Sequence, residues 1–312
     1  MSRRRRYGGR GGPKPEQAAD GSQTSGGAQP AAASTPSPVL KESVITLPLG
    51  GRNPITAFNA YLIPGSKHVL VDPGPPGSAG ELLEKLSLHG ISLGDIGLIV
   101  ITHGHPDHFG SAAQLKEWTR APLAVHELDA EYLNWGSVPA PKPVTRLGSL
   151  FKSFFKIKCR PVEPDIILRD GDNLGRYAGR GRVLLTPGHT AGSISILLPD
   201  GKCIIGDVLM RGLRARTPSS PWFAEDSSLV KESLQKVVEA GARTLLPGRG
   251  GPFQVKDLPR SFPWLELRES SATPEGGAER ERRFRPRNPR PQGRETQPET
   301  RPEADKPRES DE

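Results

Sequence analysis

The sequence predicts one α+β domain between two disordered tails. Over residues 39–269, short β-rich runs alternate with helical stretches, and the strands outnumber the helices. Outside these limits Gly, Pro, Ser and charged residues prevail without a hydrophobic period, which is typical of segments that bury too little apolar surface to fold. We therefore predict a basic Gly/Pro/Ser-rich tail over residues 1–38, the folded domain over 39–269 and an Arg/Glu/Pro-rich tail over 270–312.

The first half of the domain is expected to contain five strands and two helices. The segment 81–89 carries apolar residues at helical spacing, including Leu82 and Leu86, and ends at Gly90, which suits a helix with a glycine cap. A second helix is expected over 111–120. The predicted strands are 43–49, 57–63, 69–71, 98–102 and 122–126.

The second half is expected to add three further β-rich runs, a helix and a last short strand. Turn signals at Pro187-Gly188 and Pro199-Asp200-Gly201 separate the three runs. The helix is expected over 227–240. The predicted strands are 182–186, 193–198, 202–206 and 244–246.

Positive charge is concentrated at the start of the chain. The formal net charge is +8, and Arg3–Arg6 and Arg10 all lie within the first ten residues. A basic tail can contact nucleic acid, but a solvated tail is the simpler interpretation. Nucleic acid is therefore expected as a partner only through this tail, if at all.

The cysteines and the hydropathy of the sequence indicate the cellular compartment of the protein and whether it crosses a membrane. Cys159 and Cys203 lack C-x-x-C spacing, so the sequence predicts neither a disulfide framework nor a cysteine zinc site, and a reducing cytoplasm is favoured. No apolar run approaches the length of a membrane span, so no transmembrane segment is expected.

Several side chains that can bind a metal ion lie directly after the apolar run 98–101. Three of the chain's seven histidines fall within six residues there, and Gly104 and Pro106 interrupt regular structure, so neighbouring side chains can turn towards one point. Imidazole nitrogen and carboxylate oxygen are ligands of zinc, iron and manganese. The candidate ligands in this loop are His103, His105, Asp107 and His108.

Two later segments each place one further candidate ligand beside a β-rich run. His189 follows Pro187-Gly188, and Asp207 follows the run 202–206. Together with the 102–108 loop, these segments resemble the metallo-β-lactamase superfamily, in particular its glyoxalase II-like hydrolase branch. The resemblance spans residues 43–256 and also rests on Asn59–Ile63, Val71–Gly74 and Leu246–Gly251.

The resemblance implies a four-layer αββα sandwich with a metal centre at one edge of its two sheets. Zn²⁺ is the expected cofactor, as one or two ions, with iron or manganese as alternatives. Asp72 is expected to accept hydrogen bonds that hold the ligand loop in place. The implied ligands are His103, His105 and His189 for the first ion, and Asp107, His108 and the bridging Asp207 for the second.

Arg249 departs from the pattern of the family, whose last ligand is a histidine in a Pro-Gly-His-Gly loop. A guanidinium has no lone pair to donate, so Arg249 cannot bind a metal. Either the second site still fills, with solvent in place of the missing ligand, or Arg249 neutralises Asp107 and Asp207 and the protein works with one ion. Because a guanidinium pairs with carboxylates and repels a nearby dication, we favour the second alternative.

The resemblance implies hydrolysis by metal-activated hydroxide, with a thioester, lactone or other ester as substrate. Asp107 is expected to be catalytic, orienting the water and passing its proton to the leaving group.

The stretch 134–160 is a candidate lid beside the site. No acidic residue lies between Glu131 and Glu163, so the stretch favours a small-molecule substrate with an anionic group and an apolar part, such as an acyl thioester. A helix that packs its apolar face on the domain explains the same pattern. The basic residues are Lys142, Arg146, Lys152, Lys156, Lys158 and Arg160, and the apolar residues at helical spacing are Leu147, Leu150, Phe151, Phe154 and Phe155.

Three other functions remain open on the sequence. A mononuclear iron oxygenase resembling persulfide dioxygenases would use His103, His189 and Asp207 as its three ligands. A nuclease of the same fold would account for the basic tail, although no additional nuclease motif is found. A binding protein without catalysis would account for Arg249.

Overall fold

The computed structural model describes residues 42–51, 57–139, 142–151, 157–177, 180–212 and 217–267. The two predicted tails, 1–38 and 270–312, lie outside the described residues, as does the part of the predicted lid over 152–156. Within the described residues, every helix is too short or too polar to span a bilayer.

The strands of the first half form one mixed sheet, which has six strands among the described residues. In spatial order these are β1 (Ile45–Leu49), β2 (Phe58–Ile63), β3 (His68–Val71), β4 (Ile96–Val100), β5 (Leu123–His126) and β6 (Ile166–Leu168). Strands β1 to β3 pair antiparallel, whereas β3 to β6 run parallel. The carboxyl ends of the parallel strands therefore meet at one edge of the sheet.

The later strands form a second sheet with five strands among the described residues. In chain order the later strands are β7 (Arg182–Leu185), β8 (Ile194–Leu197), β9 (Lys202–Gly206), β10 (Met210–Arg211), β11 (Pro218–Ser219), β12 (Thr244–Pro247) and β13 (Phe253–Gln254). The order in the second sheet is β13-β12-β9-β8-β7, with β9 and β12 parallel, and β10 and β11 pair separately.

Side chains of the first sheet divide between two cores, because successive residues of a strand point to opposite faces. Val69 and Val71 of β3 pack with Ile196 of β8 and Ile204 of β9, so this core lies between the two sheets. Leu70, which lies between the two valines, belongs to a different core on the outer face.

Six α-helices lie among the described residues. They are α1 (Ala79–Leu88), α2 (Pro106–Phe109), α3 (Ala112–Thr119), α4 (Ala130–Trp135), α5 (Arg146–Phe151) and α6 (Ser227–Glu239). Leu82 of α1 and Leu115 of α3 pack in the outer core of the first sheet, and Leu234 of α6 packs on the second sheet. The layers are therefore helix, sheet, sheet and helix, which confirms the predicted α+β sandwich.

The long elements agree with the sequence predictions to within two residues at each end. Some of the shortest elements, such as β6, β10, β11 and β13, were not predicted. Helix α2 differs most from expectation, because the sequence indicated only a loop around Pro106. Proline occupies the first position of α2, where its missing N–H is not needed. This four-residue helix turns Asp107 and His108 inward, where both are buried.

Candidate metal centre

The site lies where the carboxyl ends of four strands come together. Asp72 follows β3 and the 102–108 loop follows β4, while Asp207 follows β9 and Arg249 lies shortly after β12. Strands β3 and β4 are parallel neighbours in the first sheet, and β9 and β12 are parallel neighbours in the second. The loops that follow each pair therefore emerge side by side at one edge of the sandwich.

Three imidazoles face one another at this edge. His103, His105 and His189 each offer a ring nitrogen, and these atoms lie within 4.8 Å of one another. The Nδ1 of His105 is 2.8 Å from the Nε2 of His189. Burial and then the neighbouring His189 lower the pKa of His105 to about 3, and burial also lowers the pKa of His103 and His189. Neutral imidazoles are the form that binds a metal.

A second group shares His103 with the first and adds His108 and Asp207, again with atoms within 4.8 Å. His108 Nε2 is 3.4 Å from Asp207 Oδ1. Burial opposes the charged form of His108, but Asp207 and Asp72 outweigh it and raise its pKa well above the usual value. The carboxylate of Asp207 stays charged, because His108 and His189 overcome the effect of burial and lower its pKa.

The donor atoms of this cluster fit a cation. Among the described residues, the buried Nε2 atoms of His103 and His108 and Oδ1 of Asp207 make no hydrogen bond. Buried polar atoms almost always have a hydrogen-bond partner. Three buried atoms without such a partner at one point therefore indicate a bound group that contacts them. Imidazole and carboxylate donors are the set that a divalent transition metal takes.

Asp72 forms several hydrogen bonds to the loop that carries the candidate ligands. Its carboxylate accepts hydrogen bonds from the Thr102 N–H (2.7 Å) and the Thr102 hydroxyl (2.6 Å). His108 Nδ1 lies 2.9 Å from the same carboxylate. Since the Thr102 hydroxyl gives its proton to Asp72, it accepts from His103 Nδ1 at 3.1 Å, which leaves the Nε2 lone pair of His103 for the site.

His189 is oriented from the other side of the cluster. Its Nδ1 donates to the carbonyl oxygen of Phe223 at 2.8 Å, so its Nε2 carries the lone pair and faces the site. The same Nε2 is 3.8 Å from Asp207 Oδ2. The three separate segments of the sequence that carry predicted ligands are thus brought together.

Asp129 is a residue of the site that the sequence analysis missed. It is fully buried and accepts hydrogen bonds from the Gly104 N–H (2.7 Å), the Thr190 hydroxyl (2.6 Å) and the Gly192 N–H (2.8 Å). One carboxylate therefore ties the loop of His103 and His105 to the loop of His189. A signal was present, because Asp129 comes shortly after β5, the parallel neighbour of β4.

Arg249 reaches into the cluster, and it is this residue that engages Asp107. Its Nη2 pairs with Asp107 Oδ2, and its Nε is 3.7 Å from Asp207 Oδ2. Burial alone would raise the pKa of Asp107, but Arg249, His108 and His105 together outweigh it and hold the pKa below its usual value. Asp107 belongs to neither of the two donor groups described above.

A pocket opens onto the cluster. Both polar and apolar side chains line it, as is usual for sites that bind small molecules. The polar lining residues are His105, Asp107, His189, Asp207 and Arg249. The apolar lining residues are Pro106, Val138, Ile157, Met210, Pro221, Trp222 and Phe223.

Comparison with known proteins agrees with this geometry. The sequence model of the metallo-beta-lactamase superfamily matches residues 57–249, which include all the cluster residues. A Methanocaldococcus jannaschii protein named as a probable metallo-hydrolase is 34% identical over 151 residues, covering 48% of this chain and 66% of that relative.

Two solved structures share the fold. The crystal structure of a metallo-beta-lactamase family protein from Thermus thermophilus is 25% identical with a TM-score of 0.55, over 71% of this chain and 80% of that one. TTHA1623, solved in a di-iron-bound form, is 25% identical with a TM-score of 0.53, over 71% of this chain and 100% of that one. The chain belongs to the metallo-beta-lactamase superfamily, as a metallo-hydrolase of that fold.

Proposed function

We propose that this protein hydrolyses a thioester, lactone or other ester of a small molecule that has an apolar acyl part. The observation that carries the proposal is a group of three imidazoles, two of which, His105 and His189, line a pocket together with several apolar side chains. Trp222 and Phe223 would pack against the acyl part, which places the ester carbonyl near His105 and His189.

His103, His105 and His189 would hold the metal, with Asp207 beside them. Zn²⁺ is our first candidate because imidazole and carboxylate donors suit it, and iron is the alternative. A divalent ion held there lowers the pKa of bound water and polarises the carbonyl of a substrate. The proton placement on Thr102 and the Phe223 carbonyl keep the imidazole lone pairs directed into the site.

Asp107 is our candidate for orienting the attacking water. It lines the pocket, as His105 does, and a carboxylate oxygen there can accept a hydrogen bond from a water molecule. Since Arg249 lowers the pKa of Asp107, this carboxylate holds a proton poorly. Orienting the water is therefore a better role for it than carrying a proton to the leaving group.

The predicted lid gives only partial support for an anionic substrate. Lys142 lines a cavity next to the pocket, but Glu225 lines it too, so this cavity is not uniformly basic. Arg160 is engaged elsewhere, with its Nη1 2.9 Å from Glu117 Oε2. An apolar acyl part is therefore the better supported feature of the substrate.

A substrate panel tests the proposal. Protein stripped with a chelator and protein reloaded with Zn²⁺ would be assayed on acyl thioesters, lactones, phosphodiesters and β-lactams. We expect turnover of a thioester or lactone by the reloaded protein only. Cleavage of phosphodiesters would instead support a nuclease, and oxygen uptake by an iron-loaded sample with a persulfide would support the oxygenase.

We also propose a cytoplasmic location. Both cysteines are free thiols in the structure, and Cys203 is buried in β9. Unpaired cysteines are usual in a reducing compartment.

A further inference from the structure

The guanidinium of Arg249 is built into the metal cluster. Arg249 is 5% exposed, and its Cζ lies 4.1 Å from the centroid of the Phe58 ring. Its Nη2 pairs with Asp107, and its Nε is 3.7 Å from the carboxylate of Asp207. A buried charge is tolerated only when it is paired, and here two carboxylates and an aromatic face together stabilise it.

The backbone on both sides of Arg249 is fixed by β2. Asn59 Nδ2 donates to the carbonyl oxygens of Pro247 (3.0 Å) and Gly250 (2.8 Å), and the Asn59 N–H donates to Gly248 O (2.9 Å). The Tyr61 hydroxyl donates to Pro247 O at 2.7 Å. Four hydrogen bonds therefore hold the backbone from which the Arg249 side chain enters the cluster.

The two groups of candidate metal ligands differ in charge and in how closely the backbone packs against them. The first consists of the three imidazoles of His103, His105 and His189. The second includes Asp207, whose charge is already shared with Arg249. A Cβ added to Gly248 would lie 2.5 Å from His108 Cε1 and 2.7 Å from Asp207 Oδ1, so the backbone packs directly against this second group.

We propose that Arg249 is the permanent second cation of the site, so that the protein holds one divalent ion. That ion sits at His103, His105 and His189, and the guanidinium neutralises Asp107 and Asp207 in place of a second metal. Asp107 then serves to anchor Arg249 as well as to face the pocket. A second dication at Asp207 would meet a fixed positive charge a few ångströms away. This inference rests on the metal centre of the proposed function.

The number of ions per chain tests it directly. Wild type, Arg249→His, Arg249→Lys and Asp107→Asn would be loaded with Zn²⁺, dialysed and analysed by plasma mass spectrometry. We expect one ion per chain in wild type. Arg249→His, which replaces the charge by a ligand, should retain two. Arg249→Lys keeps the charge and should retain one, and Asp107→Asn should also retain one because Asp107 is not a ligand of that ion.

The outcomes distinguish a failure of the proposed role of Arg249 from a failure of the hydrolase proposal. Two ions retained by wild type would overturn the role of Arg249 while leaving the hydrolase proposal intact. A single ion in folded Arg249→His would also overturn it. If circular dichroism shows that Arg249→His does not fold, Arg249→Gln takes its place, and failure of that variant to take up a second ion from excess Zn²⁺ would count against the assignment. Folded wild type without any ion would overturn the hydrolase proposal as well.

Discussion

Replacing His105 with alanine is expected to abolish both metal retention and turnover. His105 is one of three imidazoles in the first donor group, and its Nδ1 lies 2.8 Å from His189 Nε2. Loss of a residue that merely supports a ligand lowers metal affinity by about 10–100-fold, so loss of a ligand should cost more than about 100-fold. Affinity would be measured by competition with a chelating dye, and turnover with the best substrate of the panel.

His89→Ala is the matched control, since His89 is exposed at the end of α1. It should retain the ion and the activity of wild type. If His105→Ala binds Zn²⁺ as tightly as His89→Ala does, the three-imidazole site is wrong.

Replacing Asp129 with asparagine should weaken both the fold and the metal centre. The amide keeps the shape of the carboxylate, but its NH₂ group replaces one accepting oxygen, so either Gly192 or both Gly104 and Thr190 lose their acceptor. Leaving such buried donors without an acceptor should lower the free energy of unfolding by about 3 kcal/mol. Because the Asp129 carboxylate joins both ligand loops, metal affinity should also fall by about 10–100-fold. Urea unfolding of the metal-free protein separates the first effect from the second.

Glu131→Gln serves as the control for this experiment, because Glu131 is an exposed carboxylate two residues further along the chain. It should unfold at the same urea concentration as wild type. An Asp129→Asn protein with unchanged stability and metal affinity would show that the hydrogen bonds of the Asp129 carboxylate are not needed for the fold or the metal centre.

The sequence was most informative where a pattern repeats or where reactive residues crowd together. The alternating strand β1 and the amphipathic helix α6 carry periodic signals, and their bounds were predicted to within two residues. The loop from His103 to His108 was recognisable because metal-binding side chains rarely cluster by chance. In the fold, residues of this loop lie close to the distant His189 and Asp207.

What the sequence did not predict depends on contacts between segments far apart in the chain. Asp129 is an ordinary acidic residue until β5 is placed beside β4, and only then do its three donors come within reach. The short helix α2 has too few residues for a periodic signal. The apolar residues that line the pocket, such as Ile157 and Trp222, come from separate segments with no pattern in common. Local sequence therefore identified the donors of the cluster, and tertiary packing supplied their supports.

The most direct test of the metal centre is anomalous diffraction from crystals of Zn²⁺-loaded protein at the zinc absorption edge. We predict one anomalous peak between the imidazoles of His103, His105 and His189, with the Arg249 guanidinium still paired with Asp107. Diffraction data without an anomalous peak among these three side chains would contradict the account.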